Sequence, residues 1–118
     1  MDNSYNKRRV GKAWEKVAED YLREKGYLIL MMNYRTRYSE IDIIAETRGF
    51  LVFIEVKYRR NISSGYPLEA VDIKKQHRIR NAALIYLSEN GYDIDKTSIR
   101  FDVIGILGNK IEHIEGAF

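Results

Sequence analysis

A mixed β-sheet flanked by helices, in the order α-β-β-β-α-β-β within one layered α/β domain, is the architecture these 118 residues predict. Two stretches of helical periodicity set it. Three short apolar runs lie between them, and two more follow the second. With 45% hydrophobic and 31% charged residues, the chain is globular and able to bury a core. It contains no cysteine, which excludes a disulfide scaffold, a thiolate metal site and a cysteine nucleophile, and fits a reducing compartment. No apolar run is long enough to span a membrane, and no apolar segment follows the basic N-terminus. A cytoplasmic location with no membrane partner is the expectation.

Residues 1–9 read as a flexible basic tail ahead of a single domain over 10–118. From Gly11 to Lys25, Trp14, Val17, Ala18, Tyr21 and Leu22 recur at helical spacing, and Gly26 is a natural stop. Glu15 lies at the rim of that apolar stripe. Tyr27 to Tyr34 predicts the first strand. Ile41 to Ala45 and Phe50 to Val56 predict two more, joined across Thr47-Arg48-Gly49. Asn61 to Pro67 is loop-like. Asp72 is placed to cap a helix running to about Glu89, with Ile79, Ala82, Ala83, Tyr86 and Leu87 as its buried side. Ile99 to Leu107 and Lys110 to Ile114 complete the set.

Strands buried on both faces should be nearly all apolar. Here charges interrupt three of them: Glu40 and Asp42, Glu55 and Lys57, and Asp102. A hairpin turn centred between Arg48 and Gly49 sets Asp42 opposite Glu55 and Glu40 opposite Lys57. Two carboxylates about 5 Å apart repel by about 3 kcal/mol at an effective dielectric near 20. Lys57 offsets only one of three negative charges, so a divalent cation would balance the rest. All-oxygen ligation favours Mg²⁺ or Mn²⁺ over zinc. Such a metal activates water toward a phosphoryl centre, and Lys57 would orient that water or stabilise the developing charge. The alternative is an internal salt-bridge network of Lys57 with two carboxylates.

The basic surplus is concentrated in residues 57–80, which carry seven basic and two acidic side chains. This is either a footprint for a phosphate backbone or a solvated face. Tyr34, Tyr38, Tyr58 and Tyr66 interleave with arginines, a pattern of base-stacking surfaces but also of ordinary strands. Asp102 is expected in an ion pair with a basic neighbour. His77 and His113 are isolated, with no metal spacing or triad partner. Gly105-Ile-Leu-Gly108 lacks the lysine and hydroxyl residue of a phosphate loop.

Gly11-x-x-x-Glu15, Ser39-Glu-Ile-Asp-Ile-Ile-Ala45, Leu51-Val-Phe-Ile-Glu-Val-Lys57, Gly65-Tyr-Pro-Leu-Glu-Ala-Val71 and Arg100-Phe-Asp-Val103 occur in that order. Together they resemble the bacterial YraN-type family of candidate endonucleases. That family is similar to archaeal Holliday-junction resolvases and to the restriction-endonuclease-like superfamily with its P-D…(D/E)-x-K signature. The resemblance implies a restriction-endonuclease-like sheet and a metal-dependent endonuclease acting on DNA, possible branched or damaged DNA included. It makes Asp42 and Glu55 the metal ligands, Lys57 the catalytic lysine and Glu15 a supporting carboxylate. Arg59, Arg60, Lys74, Lys75, Gln76 and Arg78 are the expected nucleic-acid contacts, and a homodimer is the expected form. Trp14, Ser39 and Ile41 depart from the family pattern without removing a ligand. Two rival readings stay open: a nucleic-acid-binding module without catalysis, and a protein-interaction domain that merely shares the fold.

Overall fold

The computed structural model describes residues 3–61, 65 and 71–118, with side chains from Gly11 onward. Within them the chain forms α1 (Asn3–Glu24), β1 (Leu28–Arg35), β2 (Glu40–Thr47), β3 (Phe50–Arg59), α2 (Ile73–Glu89), β4 (Ile99–Leu107) and β5 (Lys110–Ile114). The five strands make one mixed sheet in chain order β1-β2-β3-β4-β5. Only β3 and β4 run parallel, and α2 supplies the crossover such a pair requires. The predicted mixed α/β architecture is the one observed. Most of the predicted loop Asn61 to Pro67, with Tyr66, lies outside the described residues.

Helix α1 begins at Asn3, not Gly11, so residues 3–9 continue the helix where the sequence suggested a flexible tail. No proline or glycine interrupts that stretch, and extending an existing helix costs far less than nucleating one. The helix ends as predicted at Gly26, whose φ of 89° suits glycine. There Tyr27 N–H donates to Leu22 O and Gly26 N–H to Arg23 O, closing the last turn. Strand β3 runs three residues past the predicted Val56, because pairing with β4 continues from Val56↔Ile104 to Arg59↔Leu107.

Each face of the sheet carries one helix and one core. Ala18 and Leu22 of α1 pack on Ile43, Val52, Ile54 and Ile104. Ile79, Ala83 and Leu87 of α2 pack on Ile44, Phe53 and Val103. The buried side of α2 is the predicted one, Ile79, Ala82, Ala83, Tyr86 and Leu87. At its start the Asp72 carboxylate accepts the Lys75 N–H at 2.8 Å. Asp72→Ala is therefore expected to lower the unfolding free energy by about 1 kcal/mol in chemical denaturation, and Asp72→Ser to restore most of it.

Candidate functional site

The β2–β3 hairpin has the predicted register: Thr47↔Phe50 through Ile43↔Ile54, closed by a two-residue turn. Beyond Ile43 the two strands part. The Val56 N–H, next in line for a ladder bond, donates instead to Asp42 Oδ2 at 2.7 Å. A side chain has taken the place of a neighbouring strand's carbonyl. The expected Glu40–Lys57 pairing is corrected here. Glu40 pairs with Arg35 of β1, with an Oε2–Nε distance of 3.6 Å, while Lys57 lies beside Gly105 of β4.

The same position reverses the faces of β1 and β2. Met32 and Ile43 pack toward α1, yet Tyr34 and Ile41 pack toward α2. Between them stand Asn33 and Asp42. Asn33 has φ of 54°, a left-handed conformation that asparagine tolerates better than most residues. The result is a fork in the sheet, into which α1 directs Glu15. Carboxylate oxygens of Glu15, Glu40 and Asp42 lie within 4.8 Å of one another. A cleft of ≈ 370 Å³, lined by Gly11, Lys12, Glu15, Asn33, Arg35 and Glu40, opens onto them.

Glu55 lies deeper, 4% exposed. Its Oε1 is 3.6 Å from Lys57 Nζ and 3.7 Å from Lys75 Nζ of α2, and its buried Oε2 has no hydrogen-bond partner. Burial first, then the facing Asp42 carboxylate, push Glu55 up to about 8, against the opposing pull of Lys75 and Lys57. Burial and Asp42 likewise raise Glu15 to about 7, although a hydrogen bond from Asn33 pulls the other way. The Asp42 and Glu55 carboxylates thus interact rather than diverge.

Of the expected nucleic-acid contacts, Arg60, Lys74 and Arg78 are exposed. Arg59 Nη1 donates to Tyr58 O, and its Nε is buried without a partner. Lys75 turns inward to Glu55. Gln76 Nε2 donates to Val71 O at 3.1 Å, which ties it to the segment just ahead of its helix. Of the described tyrosines that interleave with arginines, Tyr38 is the exposed one, at 70%, with Arg37 over its ring at 5.8 Å. Tyr34 is core, and Tyr58 stacks on Trp14 with centroids 4.1 Å apart. Sequence reasoning missed Asn33, although a lone amide inside the apolar run Leu28 to Met32 and Tyr34 was a visible signal. It also took Lys75 for a surface contact.

At the other end of the sheet Asp102 makes the expected ion pair, its two oxygens each 2.9 Å from Arg100 Nε and Nη2. His113 is not isolated, as the sequence suggested. Its Nε2 donates to Asp102 Oδ2 at 2.7 Å, and its Nδ1 is 3.3 Å from the Tyr21 hydroxyl. Eleven residues separate that pair along the chain, and only the β4–β5 hairpin brings them together.

An α/β domain with carboxylates gathered at a fork in its sheet is the class this geometry defines. The family model described as "Uncharacterised protein family UPF0102" matches residues 14–106, and the chain belongs to that family. A UPF0102 protein of Lachnoclostridium phytofermentans is 49% identical over 113 residues, spanning 96% of this chain and 95% of the relative. One from Persephonella marina is 45% identical over 108 residues, 92% of this chain and 91% of its own. Among the described residues, no helix is long and apolar enough to cross a membrane.

Raised carboxyl groups favour the native state when protonated. Their stabilising effect is full below the ordinary value of 4.5 and is lost as pH rises through about 7 for Glu15 and about 8 for Glu55. Thermal melts of the metal-free protein should fall across that window. Glu55→Gln, whose amide can donate to Asp42, should flatten the fall and raise the melting temperature by several degrees at its upper end. An equally steep fall in the variant would remove Glu55 from the explanation.

Proposed function

We propose that the protein is a metal-dependent nuclease that hydrolyses phosphodiester bonds in DNA. The observation that carries this reading is Glu55 Oε2, a buried carboxylate oxygen without a hydrogen-bond partner, on a residue that faces Asp42, itself one of three clustered carboxylates with Glu15 and Glu40. An oxygen in that position calls for a proton or a cation. The donor set is all oxygen, which fits Mg²⁺ or Mn²⁺. Asp42 and Glu55 would hold the ion, with Glu15 and Glu40 lining its cleft side. When bound, the ion polarises a phosphoryl oxygen and lowers the pKa of a bound water.

The chain's own residues supply the rest. Asp42 is fixed by the Val56 N–H, so its free oxygen has a defined direction. Lys57, 24% exposed at its side chain and 3.6 Å from Glu55 Oε1, would hold the attacking water or the phosphoryl charge. Lys75 of α2 approaches the same Glu55 oxygen as Lys57, at 3.7 Å, and would help hold that carboxylate in place. Arg60, Lys74 and Arg78 offer exposed positive charge to the phosphate backbone. The similarity of the sequence blocks to the YraN-type family and the resolvases points the same way. The mixed sheet is compatible with that fold.

A second reading has its own observation. Lys57 and Lys75 beside Glu55, with protons on Glu15 and Glu55, would neutralise much of the cluster without a metal. The protein would then bind nucleic acid without cutting it. Incubation with linear, nicked, flapped and four-way DNA, with and without Mn²⁺, separates the two. Metal-dependent cleavage is expected, lost in Glu55→Ala and reduced roughly 100-fold in Lys57→Ala. Salt-dependent binding with no cleavage of any substrate would establish the binding module instead.

A further inference from the structure

The sheet carries a second polar cavity at the end opposite the acidic fork. Asp42 and Thr47 are five residues apart on β2, about 16 Å in an extended strand. The cavity, of ≈ 220 Å³, is walled by Lys25, Arg48 and Arg100 among others, with Glu115 as its only carboxylate lining residue. Thr47 adds a hydroxyl group, while the Tyr21 hydroxyl is held by His113 Nδ1 and the Tyr27 hydroxyl donates to Glu115 Oε1. Its back wall is rigid. Arg100 is locked by Asp102 through Nε and Nη2, and Nη2 also donates to the Tyr27 hydroxyl at 2.6 Å. Glu115 Oε1 stands 3.9 Å from Nη2 as well, and Nη1 is the guanidinium nitrogen outside these contacts.

Arg48 is the telling residue. It occupies the first position of the two-residue β2–β3 turn with φ of 47°, followed by Gly49 at 83°. Turns of this kind favour asparagine, aspartate or glycine at that position, and a long side chain there is strained. The chain nevertheless carries an arginine, and its exposed side chain lines the cavity together with Lys25. Strain kept where a relaxed residue would serve points to a task for the side chain.

We propose that this cavity binds a phosphate group, gripped by Arg48, Lys25 and Arg100. A tetrahedral oxyanion matches a cavity lined by three cationic side chains and the Thr47 hydroxyl, and guanidinium groups suit its paired oxygens. The inference goes beyond the metal reading and does not rest on it, because none of these residues belongs to the acidic fork.

The test is calorimetric titration with inorganic phosphate at fixed ionic strength and without divalent cations. Saturable binding is expected for the full chain. Arg48→Asn should weaken it about tenfold while raising the melting temperature, since Asn-Gly is the relaxed form of this turn. A purely structural arginine would not show that opposition. Lys25→Ala, at an exposed position, should weaken binding as well. A second arm compares 5′-phosphorylated with 5′-hydroxyl oligonucleotides. Preference for the phosphorylated end identifies a nucleic-acid phosphate, whereas binding of inorganic phosphate alone identifies a small-molecule one. The proposal is overturned if the wild-type chain shows no saturable phosphate binding, or if both variants bind phosphate as tightly as it does.

Discussion

The hydrogen bond from Val56 N–H to the Asp42 carboxylate, 2.7 Å long, is the constraint on which the acidic site depends. A regular antiparallel ladder would have carried β2 and β3 onward together and left their side chains on fixed alternate faces. Because a side chain accepts that bond, β2 is released one residue earlier and can turn toward β1. Asn33, opposite Asp42, takes up the rotation in a backbone conformation that few other residues accept as readily. Asp42 is therefore both a structural acceptor and a member of the site. Its removal would open the fork as well as subtract a charge, whereas the Glu55 side chain holds no backbone group of the fork and acts through Lys57, Lys75 and Asp42.

Much of this was legible from residue order. The Arg48-Gly49 turn fixed the hairpin register as far as Ile43↔Ile54; Asp42 and Glu55 come next and still interact, although the ladder has ended. Asp72 and the apolar stripe of α2 fixed the second helix. What escaped the sequence is whatever depends on departures from regularity. Alternation extrapolated through Asp42 pairs Glu40 with Lys57, and only the fork redirects Glu40 to Arg35. Likewise Lys75 reads as one of a run of surface cations, since nothing local says that its turn of α2 passes over Glu55. His113 looks solitary until the β4–β5 register lays it against Asp102. Local propensity and periodicity carry elements and faces. Contacts between elements that bend are a property of the packed sheet.

Asp102 and Glu55 give the chain two buried carboxylates, and it treats them in opposite ways. Asp102 is fully buried, and burial alone would push it up. Hydrogen bonds from His113, Arg100 and the Gly116 N–H outweigh that and hold it below the ordinary carboxyl range. It is a finished network, anchoring β5 and the C-terminal residues to β4. Glu55 has two lysines at 3.6 and 3.7 Å, beyond good hydrogen-bond length, and a second oxygen with nothing to accept from. The same domain can therefore satisfy a buried carboxylate completely, and at the fork it does not. A buried anion left short of partners costs stability that simple replacement by an apolar residue would recover. Its presence beside the Asp42 carboxylate is accounted for if the missing partner comes from outside the chain, as a cation would.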